Sequence, residues 1–230
     1  QAAMRQADLI FQLGEELPAR VRDAVSAPSV RLATGISDGL PKLVVHHLLQ
    51  PVLGEPNLRL LCHEGEMDDL LGDLALHRLD VVLADRPAPA NPNIKLYSHA
   101  LATSPIAWYG TPEQVKAARR KFPHNLGDVP VLLPTAHNSL RARLDHWFES
   151  HDIRPRVVGE FEDSALLKTF GAGGMGLFPA AEWVHEHLLT HYAVQRLGAC
   201  DGVLEHFYAI GTERKVRHPL VQRLLQATTS

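Results

Sequence analysis

Residues 171–180, Gly171-Ala-Gly-Gly-Met-Gly-Leu-Phe-Pro-Ala180, carry the pattern on which the fold assignment turns. Gly171, Gly173 and Gly176 satisfy G-x-G-x-x-G, the spacing of a dinucleotide-binding turn. That turn works where a strand enters it and a helix leaves it, because the free N–H groups of the helix start then face a pyrophosphate. Here the order is reversed. Ser164 to Phe170 reads as a helix, and Met175 to Phe178 reads as a short buried strand stopped by Pro179. The glycines therefore read as a helix C-terminal cap and a tight helix-to-strand turn, where left-handed backbone angles cost glycine little. A buried strand after a glycine cap points to a ligand-binding α/β lobe, not to a nucleotide site.

Working outward, the chain alternates strand and helix from residue 29. Val30 to Ala33 reads as a strand, and Ser37 or Asp38 is expected to N-cap the helix that begins near Pro41. That helix carries Leu40, Val44, Leu48 and Val52 and stops at Gly54 and Pro56. Leu58 to Cys62 is a second strand. Met67, Leu70, Leu71 and Leu74 follow at i, i+3, i+4 and i+7, one apolar face of a helix. Leu79 to Ala84 is a near-continuous apolar run, as in parallel strands covered on both faces. Ile94 to Leu101 and Pro105 to Tyr109 read as two strands interrupted by Ala102-Thr103-Ser104.

A second set repeats the alternation. Helices are expected over Glu113–Lys121, Ser139–His151, Glu182–Leu189 and Arg217–Gln226. Strands are expected over Val131–Leu133, Arg156–Phe161, Tyr192–Arg196 and Leu204–Gly211, with a turn at Gly198–Gly202. The βαβαβ order thus occurs twice, without residue-level repetition. Two such α/β lobes leave a hinged cleft between them, where open parallel sheets bind ligands.

Bulk properties exclude several classes. A net charge of −3 gives no electrostatic reason for these residues alone to bind nucleic acid. Cys62 and Cys200 form no C-x-x-C pair and fit a reducing cytoplasm. No apolar run is long enough to cross a bilayer, so no membrane partner is expected. Gln1 is not an initiator methionine, so a piece of a longer protein is expected and the lack of a signal peptide carries no weight. Residues 1–25 place Ala3, Ile10 and Leu17 seven apart among polar neighbours, a short heptad-like helix that is marginal without a partner. No G-x-S-x-G, H-E-x-x-H or Walker loop is present, and no catalytic residue or resident cofactor is assigned.

The leading helix, Val30-Arg-Leu-Ala-Thr-Gly35, the stretch Asp69-Leu-Leu-Gly-Asp-Leu-Ala-Leu-His-Arg-Leu-Asp-Val-Val-Leu83 and Gly171 to Pro179 together resemble the effector-binding region of LysR-type transcriptional regulators. The resemblance covers the whole chain. It implies two Rossmann-like lobes of the type 2 periplasmic binding protein kind, with the last strand and helix returning to the first lobe. Residues 1–28 would be the end of a dimerising linker helix. Residues 29–102 with 204–230 would form effector-binding lobe I, and 103–203 lobe II. It further implies an activator with a separate N-terminal DNA-binding module, assembled as a homodimer or homotetramer through packing of lobe I on lobe II. The turn Cys62-His-Glu-Gly-Glu-Met67, with Leu83-Ala-Asp-Arg-Pro-Ala88, resembles a narrower group in that family. Its likeness implies a response to sodium or lithium and control of sodium/proton antiporter expression. A solute receptor of a transporter shares the lobed fold and is the alternative.

In such folds strand-end turns and helix starts line the cleft. The candidates are Thr34, Gly35, Ser37, Asp38, His63, Glu64, Glu66 and Asp85 from lobe I, with Thr135, His137, Asn138, Ser139, Asp163 and Met175 from lobe II. Many relatives hold small carboxylates at helix N-termini. This chain instead crowds Glu64, Glu66, Asp68 and Asp69 at the start of its second helix. Such acids stabilise a helix start by about 0.3–1 kcal/mol each, and they also occupy the field an anion would use. Glu64 and Glu66, with Asp85 or Asp163, are therefore candidate oxygen ligands for a sodium ion. His187 and His191 are four apart, but no Cys or Glu completes a zinc pattern, and a solvated face is expected.

Overall fold

A computed structural model describes residues 29–90, 94–213 and 215–227. The leading heptad-like helix lies outside the described residues. Strand β1 (Val30–Ser37) sits between β2 (Leu58–Gly65) and β3 (Val81–Ala84), parallel to both, with helices α1 (Lys42–Leu53) and α2 (Met67–Ala75) as crossovers. The α2 face expected from spacing is the buried one: Met67, Leu70, Leu71 and Leu74 all point inward. Asp68 and Asp69 fall in its first turn, where they complement the helix dipole.

Two long strands then tie this lobe to the second. β4 (Leu96–Gly110) and β8 (Gln195–Thr212) pair antiparallel from Leu96 opposite Thr212 to Gly110 opposite Gln195. In lobe I β8 pairs with β3, and at the far end β4 pairs with β7 (Phe178–Ala181). β5 (Pro130–Pro134) and β6 (Arg156–Phe161) are parallel, and Leu132 N–H donates to Leu177 O at 2.8 Å, which links β5 to the chain ahead of β7. Helices α3 (Pro112–Ala118), α4 (Ser139–Ser150), α5 (Ser164–Ala172) and α6 (His185–Tyr192) belong to this second lobe. The final helix, α7 (Pro219–Gln226), packs back against α1. The expected two-lobed α/β architecture is present.

Several local expectations change. Ala102-Thr103-Ser104 does not interrupt a strand, and Gly198–Gly202 is not a turn: β4 and β8 run straight through. Register shifts between Ala100 and Ala102, Pro105 and Ala107, and Trp108 and Tyr109 absorb the irregular pattern. Neither Ser37 nor Asp38 caps α1. β1 extends to Ser37, and Pro41 takes the cap position without a side-chain bond. Pro179 does not stop the strand after the glycines but lies inside it, opposite Trp108. β7 is the edge strand of the six-stranded sheet, a position where proline is tolerated. The glycine turn itself is as expected: α5 ends at Ala172, and Gly174 adopts φ of 85°.

The caps of lobe II are local. Asn138 Oδ1 accepts from Leu140 N–H at 2.9 Å, and Asp163 Oδ1 accepts from Leu166 N–H at 2.7 Å. Asp163→Ala is expected to cost about 1 kcal/mol, read as a lower urea midpoint with unchanged slope.

Among the described residues three apolar clusters form the core. One lies under α2 around Leu70, Leu74 and Val82, and one in lobe II around Trp108, Leu144, Trp147 and Phe148. The third crosses the junction, joining Leu32, Val44 and Leu48 to Tyr109, Phe178 and Leu188. The mouth between the lobes therefore opens above a shared apolar floor.

Candidate functional site

Two adjoining cavities lie between the lobes and share Gly39, Asn138 and Glu162. The outer one is a partly open groove. Lobe I gives it the end of β1 and the turn after it (Ser37, Asp38), the α2 cap residue Glu66, and Asp85-Arg86 after β3. Lobe II gives it Thr135, His137 and Asn138 from the turn before α4, with Glu162. Four carboxylates, Asp38, Glu66, Asp85 and Glu162, thus face one guanidinium, Arg86. Asp85 is only 5% exposed. Ser37 Oγ and Thr135 Oγ1 are buried without a hydrogen-bond partner. Buried hydroxyls left unpaired are uncommon in folded proteins, and both of these line the groove.

The inner cavity adjoins it. Pro41, Phe161, Leu167, Ala180 and Val184 form apolar walls, and Lys168 of α5 and Glu205 of β8 bring charge. Lys168 is 5% exposed and Glu205 3%. Burial pushes the Glu205 carboxyl up to about 7, an effect that Lys168 opposes and Asp85 reinforces. Burial pulls the Lys168 ammonium down to about 8 against the opposing pull of Glu205 and Asp163. Lys168 Nζ donates to Ser164 Oγ at 3.3 Å, a long bond. Burying two charges costs several kcal/mol per ion unless geometry compensates, so such a pair signals a functional site more than a source of stability.

Of the expected residues, Ser37, Asp38, Glu66, Asp85, Thr135, His137 and Asn138 come together in the outer groove. The others do not line it. Thr34 and Gly35 are interior positions of β1, because the strand runs further than its apolar core suggests, and a Cβ on Gly35 would meet Leu79 at 2.8 Å. His63 and Glu64 lie exposed on β2. Glu64 is engaged by Lys42, whose Nζ donates to its Oε2 at 2.7 Å and lies 3.8 Å from Asp163 Oδ2 of the opposite lobe. That bond to Glu64 is the main reason the Lys42 ammonium is held above its ordinary range. Ser139 Oγ accepts from Arg143 at 2.8 Å, and Met175 is 40% exposed beside Gly159. His187 and His191 both fall on α6, which runs past the expected end at Leu189, and their rings stack 3.9 Å apart. Among the described residues no group of three or more His, Cys, Asp or Glu is assembled to hold a metal ion.

Sequence reading missed Lys168 and Glu205. A signal for Glu205 was present. Val203, Glu205, Phe207 and Ala209 share the inward face of β8, so a carboxylate occupies an apolar phase of a two-residue alternation.

Residues 29–230 match the LysR substrate binding domain family, and the chain belongs to it: this is the effector-binding domain of a LysR-type transcriptional regulator. Among curated relatives, it is 30% identical to the transcriptional activator protein NhaR of Escherichia coli (strain K12), over 96% of this chain and 72% of that protein. It is 25% identical to the nitrogen assimilation regulatory protein nac of the same organism, over 73% of this chain and 54% of that protein. Solved structures agree on the fold. CbnR, a LysR family transcriptional regulator, superposes with a TM-score of 0.72 at 16% identity, covering 99% of this chain and 78% of that one. The reduced regulatory domain of OxyR2 from Vibrio vulnificus does so with 0.67 at 18%, covering 87% and 94%. These relatives are regulators and do not favour the transporter-receptor alternative. Among the described residues no helix is long and apolar enough to cross a membrane.

Proposed function

We propose that this domain senses sodium or lithium in the cytoplasm and, within a LysR-type activator, governs expression of a sodium/proton antiporter gene. The observation that carries the reading is the outer groove, where carboxylates of both lobes outnumber cations and two hydroxyl groups lack partners. Sodium is a hard ion that takes carboxylate, hydroxyl, carbonyl and water oxygens. Sensing at tens of millimolar requires only about −2 to −3 kcal/mol of binding, so a wet, sparsely liganded groove suffices. The ion acts by favouring the arrangement that draws Asp38, Glu66 and Asp85 toward Glu162, since a ligand shifts an equilibrium only through its preference for one state. Glu64 is a weaker candidate than Glu66, because Lys42 already neutralises it.

The proposal takes lobe I as residues 29–102 with 204–230 and lobe II as 103–203. It also takes the working protein as a homodimer or homotetramer packed lobe I on lobe II, meeting DNA through a separate N-terminal module.

Thermal unfolding in sodium, lithium and potassium chlorides at matched ionic strength tests the effector. Sodium and lithium are expected to raise the midpoint and potassium to leave it unchanged. Glu66→Ala is expected to shift the sodium midpoint about threefold or more upward while altering salt-free stability by no more than about 1 kcal/mol. Equal responses to all three salts would refute a sodium site, and an unaltered Glu66→Ala response would remove Glu66 from it.

A further inference from the structure

The basic segment around the end of α3 lines neither the groove nor the inner cavity. From Gln114 to Gly127 the chain carries Lys116, Arg119, Arg120 and Lys121 and no carboxylate. All four cations are exposed. Among the described residues no ion pair or side-chain hydrogen bond engages any of them, and the flanking acids Glu113 and Asp128 are bonded to none. The backbone beneath them is held in place. Thr111 closes a capping box with Gln114 at the start of α3, and Asn125 Nδ2 donates to Ala118 O, where α3 passes into the 3₁₀ turn Arg119–Lys121. The Phe122 ring packs over Gly198, where an added Cβ would overlap it, and lies 6.4 Å from the ring of Trp147. With Phe122 turned inward, the three cations before it fan over solvent, since successive side chains of such a turn point a third of a turn apart.

This surface stands away from the cleft. The segment leads into the start of β5 at Pro130, whereas Thr135, just past the end of β5, lies in the groove. A strand of that length spans about 17 Å, so the cations and the groove carboxylates occupy opposite ends of lobe II. The net charge of −3 therefore averages over a surface on which sign is segregated. Exposed Arg154 and Arg156 border the same end: a Cβ on Gly127 would lie 3.1 Å from Arg154 O, and Arg156 stands opposite Pro130.

We infer that this end of lobe II makes a second contact with duplex DNA, to the phosphate backbone and without reading bases, in addition to the contact of the separate N-terminal module. It rests on the proposed function only for that module, which keeps DNA near. A protein partner would be anchored by apolar and aromatic groups at the centre of its interface. None of the exposed large apolar side chains lies between residues 111 and 128. An anionic membrane surface likewise holds a segment partly through apolar insertion. Single-stranded nucleic acid is held by stacking bases on aromatic rings, and Phe122 is not offered for that. Duplex phosphate needs only clustered cations, and arginine gives it forked, charge-assisted hydrogen bonds. Tethering to a DNA-bound module supplies an effective concentration of up to about millimolar, so a contact that is weak alone still counts in the assembled regulator.

Anisotropy of a labelled duplex titrated with the 230-residue chain in potassium chloride tests this and leaves sodium out. Duplexes of unrelated sequence should bind alike, with a Kd of about 100 μM or tighter at about 20 mM salt. Four phosphate contacts give a slope of log K against log salt of about −3.6, so each doubling of salt should weaken binding about tenfold. Arg119→Ser with Arg120→Ser should weaken binding about tenfold or more and make the slope shallower by about 2. Arg119→Lys with Arg120→Lys should keep the slope, because the charge is retained. Arg31→Ser with Lys95→Ser removes as much exposed charge from lobe I and should weaken binding less than about threefold. Three outcomes overturn the inference: no duplex binding at low salt, equal losses from the two serine pairs, or displacement of the duplex by poly-glutamate as effectively as by unlabelled DNA. The last would mark a surface for an acidic protein. If the Arg119→Ser, Arg120→Ser chain does not fold, the wild-type salt slope and the poly-glutamate competition decide. Sodium takes no part in this measurement, so either reading can fail alone.

Discussion

Phe178→Ala is expected to lower the unfolding free energy by about 3–5 kcal/mol, a large share of the roughly 5–15 kcal/mol that holds a domain folded. Phe178 is fully buried in the cluster that joins the two lobes, and its ring stacks on Tyr109 at 6.1 Å. The space it occupies exists because residue 171 has no side chain: a Cβ there would overlap the Phe178 ring. Gly171→Ala alone should therefore cost about 1–3 kcal/mol through overpacking. With Phe178→Ala in place, the added methyl enters the vacated volume, so the double variant should be clearly more stable than the sum of the two losses implies. A double-mutant cycle by urea unfolding measures that coupling. Strict additivity would show that Gly171 is required for some other reason, such as the helix end it precedes.

The second large effect concerns Glu205. Its carboxyl titrates at about 7 in the folded chain against an ordinary value of 4.5, so the folded state holds a proton that the unfolded state releases. The associated stability is fully present below about 4.5 and is lost as pH rises through about 7. A shift of this size corresponds to about 3 kcal/mol. Lys168 runs the other way: its value is lowered from 10.5 to about 8, so its contribution is present above 10.5 and is lost as pH falls through about 8. Both losses coincide between about 7 and 8, where the ligand-free domain should be least stable on account of this pair. Glu205→Gln is expected to abolish the fall in stability between about pH 5 and 7 and to leave the variant more stable than wild type near pH 7. Chemical denaturation at a series of pH values gives the difference curve. A flat difference would mean that Glu205 is as well solvated in the native chain as in the unfolded one.

Much of the fold was legible because its signals are local. The spacing of Met67, Leu70, Leu71 and Leu74 names the buried face of α2. The reversal of helix and strand around Gly171–Gly176 separated a cap from a nucleotide loop. The long strands were harder to read. β4 and β8 cross from one lobe to the other, and register shifts change which face is buried, so an alternation that holds in one lobe breaks at the crossing. The turn residues Gly198 and Gly202 then look like an end where none exists.

For the cleft, seven of the fourteen candidates assemble in one groove, because strand ends and helix starts of this architecture converge there. His63 and Glu64 fall outside it because they sit on the strand at the sheet edge, a position that depends on which strand neighbours which.

The order of elements, the identity of the apolar faces and the family can be argued from residues a few places apart, since periodicity and caps act within one or two helical turns. The meeting of Lys168 with Glu205, the engagement of Glu64 by Lys42, and the room that Gly171 leaves for Phe178 arise only once the chain has closed on itself. Each depends on how far two packed bodies remove a charge or a ring from water, and no local pattern encodes that distance.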